Sequence, residues 1–196
     1  MSAFGKARKQ LRLEQEKPNF TPEFSSSFYD YQAKITAEYM HKPTDQVKEI
    51  IEKYIYNEWE HHFLGIKLFP YVREVLSGLK SASLKLAVMS DFPPENKLRN
   101  LGIDGFFDTM LCSEKTGALK PAPQPFLELA KSLETPPEKI LYVGNNFRYD
   151  IIGASRAGFK TAFRAKKLSK KTQYDSSVKA DFLFNNYRQF YNYMLN

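Results

Sequence analysis

Apolar residues recur with two different rhythms along this chain, and the change of rhythm divides it. Between residues 24 and 40, Phe28, Tyr31, Ile35 and Tyr39 return every three or four positions, which predicts a helix. A second helix is predicted from Thr44, a good amino-terminal cap with Asp45 in its first turn, through Val47, Ile50, Ile51, Tyr54 and Ile55 to about Trp59. Short unbroken apolar runs then take over. Leu84 to Met89 and Ile140 to Val143 each read as a buried strand. The first delivers Ser90 and Asp91 ahead of the breaking pair Pro93 and Pro94; the second ends at Gly144 and a polar loop, with a helix-like segment starting near Asp150. Between them, a proline-stiffened loop leads into a helix carrying Phe126, Leu127, Leu129 and Ala130. Ala180 to Phe184 and Tyr187 to Leu195 read as a last strand and a closing helix. Residues 1 to 20 are charged, good helix formers without the apolar run of a central strand. The pattern is that of a helical region, 1–66, ahead of an α/β core, 67–196.

Composition narrows the class. With 196 residues, 42% hydrophobic and 15% aromatic, the chain can bury a core and is not wholesale disordered. No apolar stretch approaches the ~20 residues of a membrane span, and the amino terminus lacks the apolar centre of a signal peptide. One cysteine, Cys112, excludes an intramolecular disulfide and suits a reducing, cytoplasmic setting; it reads as a small buried hydrophobe late in a strand. The formal charge of +7 is concentrated in part at Arg164, Lys166, Lys167, Lys170 and Lys171. That run lacks interleaved aromatics, so it reads as a solvated loop or a weak attractor of anionic substrates, not as a nucleic-acid surface. His61 and His62 are adjacent and so point about 100 degrees apart on a helix, which rules out a shared metal of the i, i+4 kind.

Three stations carry the candidate chemistry. Ser90, at a strand end, can donate a hydrogen bond to a phosphate oxygen or cap the turn that follows. Lys120 precedes three prolines near a helix start, where an ammonium can neutralise phosphoryl oxygens as a point charge. Asn145, Asn146 and Asp150 stand where a strand's carboxyl end opens into a crevice, the usual ligand position in open α/β sheets; Asp150 could equally serve as a helix cap.

Strand-Ser, then Lys-Pro, then strand-Gly-Asn-x4-Asp followed by Gly153-Ala-x2-Ala-Gly158 resembles, in order and spacing, the haloacid dehalogenase-like hydrolases. The resemblance covers roughly residues 66–185 and includes Phe69-Pro70 to Leu79, Leu101 to Asp108 and Cys112 to Gly117. It implies a Rossmann-like parallel sheet with an amino-terminal helical cap that selects substrates. It also implies a Mg²⁺-dependent phosphatase acting on a small phosphorylated metabolite. Lys120 and Ser90 would be the catalytic positions, with Ser90, Asp91 and Lys120 on the phosphate and Asp150 and Asn145 at the metal.

Two departures qualify that picture. No Asp-x-Asp, the family's nucleophile motif at the end of the first strand, occurs in the chain, and Asn145 stands where the family usually has an acid. A hard cation loses a charge there. The first strand is therefore expected to be missing, leaving the strands near 84 and 140 without a neighbour. Each unpaired buried backbone group would cost roughly 1 to 3 kcal/mol, so an incomplete chain is the expectation. Two other readings stand beside it: a non-catalytic relative that keeps the anion pocket for binding or scaffolding, and a receiver-type signalling domain. Receivers end soon after their lysine, whereas here a strand, a loop and a helix follow.

Overall fold

In the computed structural model, residues 2–17, 20, 27–58, 65–166 and 177–195 are described. Ser2 opens the first helix, α1 (Ala3–Gln15), by accepting from the Gly5 amide, and Ser27 caps α2 (Phe28–Met40) in the same way through Asp30. Residues 24–26 of the expected helix, Trp59, His61 and His62 lie outside the described residues. In α3 (Thr44–Ile51), Pro43 holds the cap position and Thr44 is already helical, so the expected threonine cap is not made. The chain continues past Ile51 as a wider π-type turn, Glu52–Asn57. Ala33, Ala37, Val47 and Ile51 bury the α2–α3 contact.

After α4 (Val72–Ser81) come β1 (Ala87–Ser90), α5 (Glu95–Asn100), β2 (Thr109–Cys112) and α6 (Pro123–Ser132). They are followed by β3 (Leu141–Gly144), α7 (Gly153–Arg156), β4 (Lys160–Arg164), β5 (Phe182–Phe184) and α8 (Tyr187–Leu195). Among the described residues all pairings are parallel, in two separate sheets, β1-β2 and β3-β4-β5. Parallel strands buried on both faces read as continuous apolar runs, which is how they appear in the sequence. Met89, Tyr142 and Phe159 pack on one face against Phe126 and Leu129 of α6. On the other face Ala162 and Phe184 meet Val75 and Leu79 of α4 and Phe190 of α8.

Between the two sheets, as far as the described residues go, lies a gap. Among the described residues, β1 pairs with β2 alone and β3 with β4 alone. The free edges face a cavity of ≈ 670 Å³ lined by Ala87, Val88 and Met89 on one side and Leu141, Tyr142 and Val143 on the other. Val75 and Phe190 close it on one face, and Leu129 and Leu133 on the other. Alternate residues of a strand point their peptide groups to opposite edges, so about half of each four-residue strand turns its N–H and C=O into this apolar space. Among the described residues, the strands expected to lack a neighbour each pair on one side only.

Candidate functional site

The carboxyl ends of β1 and β3 are joined above the gap by side chains. Lys120 Nζ donates to Asp150 Oδ1 at 2.7 Å and, more weakly, to the Tyr142 hydroxyl at 3.4 Å. The other carboxylate oxygen of Asp150 accepts the Asn145 and Asn146 amides at 3.1 and 2.9 Å. This turn is tight: a Cβ on Gly144 would sit 2.2 Å from the Asp150 Cβ, so only glycine fits. Gly153 makes a second close approach, where a Cβ would come 2.7 Å from the Phe126 ring and 3.0 Å from the Pro121 Cα. The helical turn after β3 starts earlier than the sequence suggests, at Phe147, and it is Asn146 that caps it, accepting the Tyr149 amide at 2.9 Å. Asp150 is left to face Lys120.

Ser90 ends β1 and accepts the Phe92 amide at 3.2 Å. A hydroxyl that accepts one bond keeps its own proton to donate. Asp91 accepts from the Ser113 hydroxyl at 2.8 Å and from Arg12 Nη2 at 2.6 Å, with Arg8 Nη2 at 3.6 Å. Arg12 also reaches across to the Lys120 carbonyl at 2.9 Å and lies over the Tyr149 ring, 4.5 Å from its centroid. Behind it, Arg8 donates to Gln32 at 2.8 Å and pairs with Glu114, whose second oxygen takes the Tyr56 hydroxyl at 2.9 Å. The structure thus brings Ser90, Asp91, Lys120, Asn145 and Asp150 to one edge. It adds a contribution that sequence reasoning missed: Arg8, Arg12 and Glu114. Their partners are 79 and 106 residues away, and a charged amphipathic helix gives no sign of them.

Electrostatics follow burial and neighbours. Burial would raise the Asp91 carboxyl, but Lys120, Arg12 and Arg8 outweigh it and hold it below its ordinary value. Burial would pull the Lys120 ammonium down; Tyr142, Asp150 and Asp91 reverse this and keep it firmly protonated. Glu114 goes the other way, raised by desolvation in spite of Arg8. Burial pushes the Cys112 thiol up to about 11, which makes it a packing residue and a poor nucleophile.

The residues present do not make a site for the magnesium ion that the resemblance implies. Both oxygens of Asp150 are engaged and Asn145 is neutral, whereas hard cations take several free oxygens, carboxylates among them. Among the described residues no three His, Cys, Asp or Glu side chains gather as a metal site. No helix among them is long and apolar enough to cross a membrane.

Residues 2–163 match the family model of the haloacid dehalogenase-like hydrolases. A glyceraldehyde 3-phosphate phosphatase of Methanopyrus kandleri is 40% identical over 102 residues, 50% of this chain and 44% of that protein. A pyrophosphatase PpaX of Bacillus thuringiensis is 30% identical over 141 residues, 70% of this chain and 64% of that protein. The chain therefore matches less than two thirds of the length of either relative. Among solved structures, a predicted phosphoglycolate phosphatase from Haemophilus somnus superposes with a TM-score of 0.63 at 21% identity, over 97% of this chain and 91% of that one. Matched by the family model across most of its length, the chain belongs to the haloacid dehalogenase-like hydrolases.

Proposed function

We propose that this chain carries the phosphoryl-binding edge of a phosphohydrolase for small phosphorylated metabolites. In this reading the slot between β1 and β3 takes the strand that brings a nucleophilic carboxylate. The observation that carries it is Lys120: a buried ammonium, fixed at 2.7 Å from Asp150 after β3, whose carbonyl is held by the same Arg12 that pairs with Asp91 after β1. Ser90 would donate to one phosphoryl oxygen and Lys120 would neutralise the charge that develops there. Such positioning and fixed charge dominate phosphoryl transfer. The helices of residues 1–66 act as the cap, and α1 seals the edge from solvent through Arg8 and Arg12. That two relatives are a glyceraldehyde 3-phosphate phosphatase and a pyrophosphatase supports a phosphorylated small molecule as substrate. Without an Asp-x-Asp, the 196 residues bind but do not turn over.

Thermal unfolding with inorganic phosphate tests this. A hundredfold excess over the dissociation constant is expected to stabilise the fold by about 2.7 kcal/mol. Lys120→Ala removes that gain and Lys166→Ala, at an exposed lysine, leaves it. Equal loss from both would reduce the binding to diffuse charge. The chain alone is expected to leave an aryl phosphate unhydrolysed, and a version extended upstream with an apolar strand ending in Asp-x-Asp to hydrolyse it.

A further inference from the structure

Three cations converge on one carboxylate beside the phosphoryl-binding edge. Asp91 follows Ser90 directly, and its Oδ2 accepts from Arg12 Nη2 at 2.6 Å and lies 3.6 Å from Arg8 Nη2. Its Oδ1 accepts from the Ser113 hydroxyl at 2.8 Å. Desolvation raises the Asp91 carboxyl, and Lys120 stands foremost among the three cations that bring it down. Arg12 ties the group together, because its Nε donates to the Lys120 carbonyl at 2.9 Å.

Arg8 is incompletely used. Its side chain is only 6% exposed, and its Nη1 serves both Gln32 and Glu114. Its Nη2 is buried and makes no hydrogen bond among the described residues, since Asp91 at 3.6 Å is out of reach. The Phe92 ring, with its centroid 4.3 Å from the Arg8 guanidinium carbon, covers one face of that group. A buried donor left unpaired is costly, and an incoming anionic oxygen would satisfy it. Charge says what stands in the way. Glu114 is bonded to Arg8 and Asp150 to Lys120, so those carboxylates have their own cations. With Asp91 added, three carboxylates offset Arg8, Arg12 and Lys120 and leave no net charge to attract an anion.

We infer that Asp91 is the internal occupant of an anion site formed by Arg8, Arg12 and Lys120, and that a bound phosphoryl group must displace its carboxylate. The inference rests on the phosphoryl-binding reading above and adds the residue that restrains its affinity. It gives Asp91 the opposite role to the phosphate contact that the family resemblance implies. Calorimetric titration with inorganic phosphate compares the unmodified chain with Asp91→Asn and Asp91→Glu. Asparagine keeps an acceptor for Ser113 and Arg12 but sheds the charge. It is expected to bind phosphate about 10- to 100-fold more tightly, as relief of one like charge a few ångströms away allows. Asp91→Glu keeps the charge and shows no such gain, and adding Arg12→Gln to Asp91→Asn abolishes it. Phosphate binding by Asp91→Asn that is no tighter than that of the unmodified chain overturns the inference while leaving phosphoryl binding intact; weaker binding would make Asp91 a direct ligand. Should Asp91→Asn fail to fold, magnetic resonance of the unmodified chain, isotope-labelled at arginine, decides. Phosphate is expected to shift the side-chain signals of Arg8 and Arg12, and signals unmoved at saturation overturn the inference. If phosphate binds neither the unmodified chain nor Asp91→Asn, the phosphoryl reading itself falls and the internal occupant with it.

Discussion

The gap between β1 and β3 has two levels that are held in opposite ways. At the rim, Lys120 reaches Asp150 and Arg12 reaches both Asp91 and the Lys120 carbonyl, so charged side chains link the end of β1 to the loop after β3. Below it, the backbone edges of the same strands face an apolar cavity and, among the described residues, make no bond to each other. Reach explains the difference. A peptide N–H must come within about 3.2 Å of its acceptor, whereas arginine and lysine carry their donors several bonds from the backbone. The lesson is that side chains can hold two half-sheets in register without restoring the ladder between them. Because buried charge costs desolvation, the rim is better understood as fixing geometry than as adding net stability.

Three measurements would break or sharpen that contrast. The largest effect is expected at the rim, from Glu114→Ala. Glu114 is fully buried and Arg8 nearly so, and a guanidinium cannot shed its charge. Removing the carboxylate should cost about 3 to 5 kcal/mol in urea unfolding. Arg8→Ala should cost less, because the orphaned Glu114 can take up a proton. Equal losses below about 1 kcal/mol, the level of a solvated surface pair, would mean that water reaches the rim.

The next effect belongs to the slot. Amides of β1 and β3 that face it are expected to exchange with deuterium about 100-fold faster than those of β4, which pairs on both sides. Uniform protection across β1, β3 and β4 would show that the gap is closed in solution.

The smallest effect is the pH dependence of Asp91. Its folded value is depressed, so its contribution is full above about pH 3.9, its unfolded value, and is lost as pH falls through the lower folded value. Asp91→Asn should therefore flatten the loss of Tm below pH 4, at about 2–4 °C for each kcal/mol removed. Glu114 has the opposite sign. Its raised carboxyl favours the folded state at low pH, and that share is lost as pH rises from 4.5 through the raised value. A flattening above pH 5 in the Asp91 variant would assign the titration to the wrong carboxylate.

How legible this was depended on how local each determinant is. The strands at 84–89 and 140–143 were readable because burial on both faces leaves an unbroken apolar run. Ladder pairing begins only at Ala87, after Asp108 has taken up the Leu86 amide, a partner 22 residues away. The one-sided pairing of β1 and β3 among the described residues agrees with what the missing motif led one to expect. The turn at Phe147 was misjudged because its start is set by the Asn146 side chain and by the need to aim Asp150 back at the Asn145 and Asn146 amides. Arg8 and Arg12 were invisible, since a helix of good formers reads as solvated unless its distant partners are known.

The two close approaches at Gly144 and Gly153 decide what could be transplanted from this protein. The segment from Gly144 to Gly153 is a short contiguous motif, yet its shape is set at one end by Asp150 and at the other by the Phe126 ring and the Pro121 backbone. Grafting those ten residues alone onto another parallel sheet would carry the sequence without the surfaces it is moulded against. The transferable unit is discontinuous: the loop, the Lys120-Pro121 turn and the first turn of α6 must move together, or the ammonium and the carboxylate will not meet.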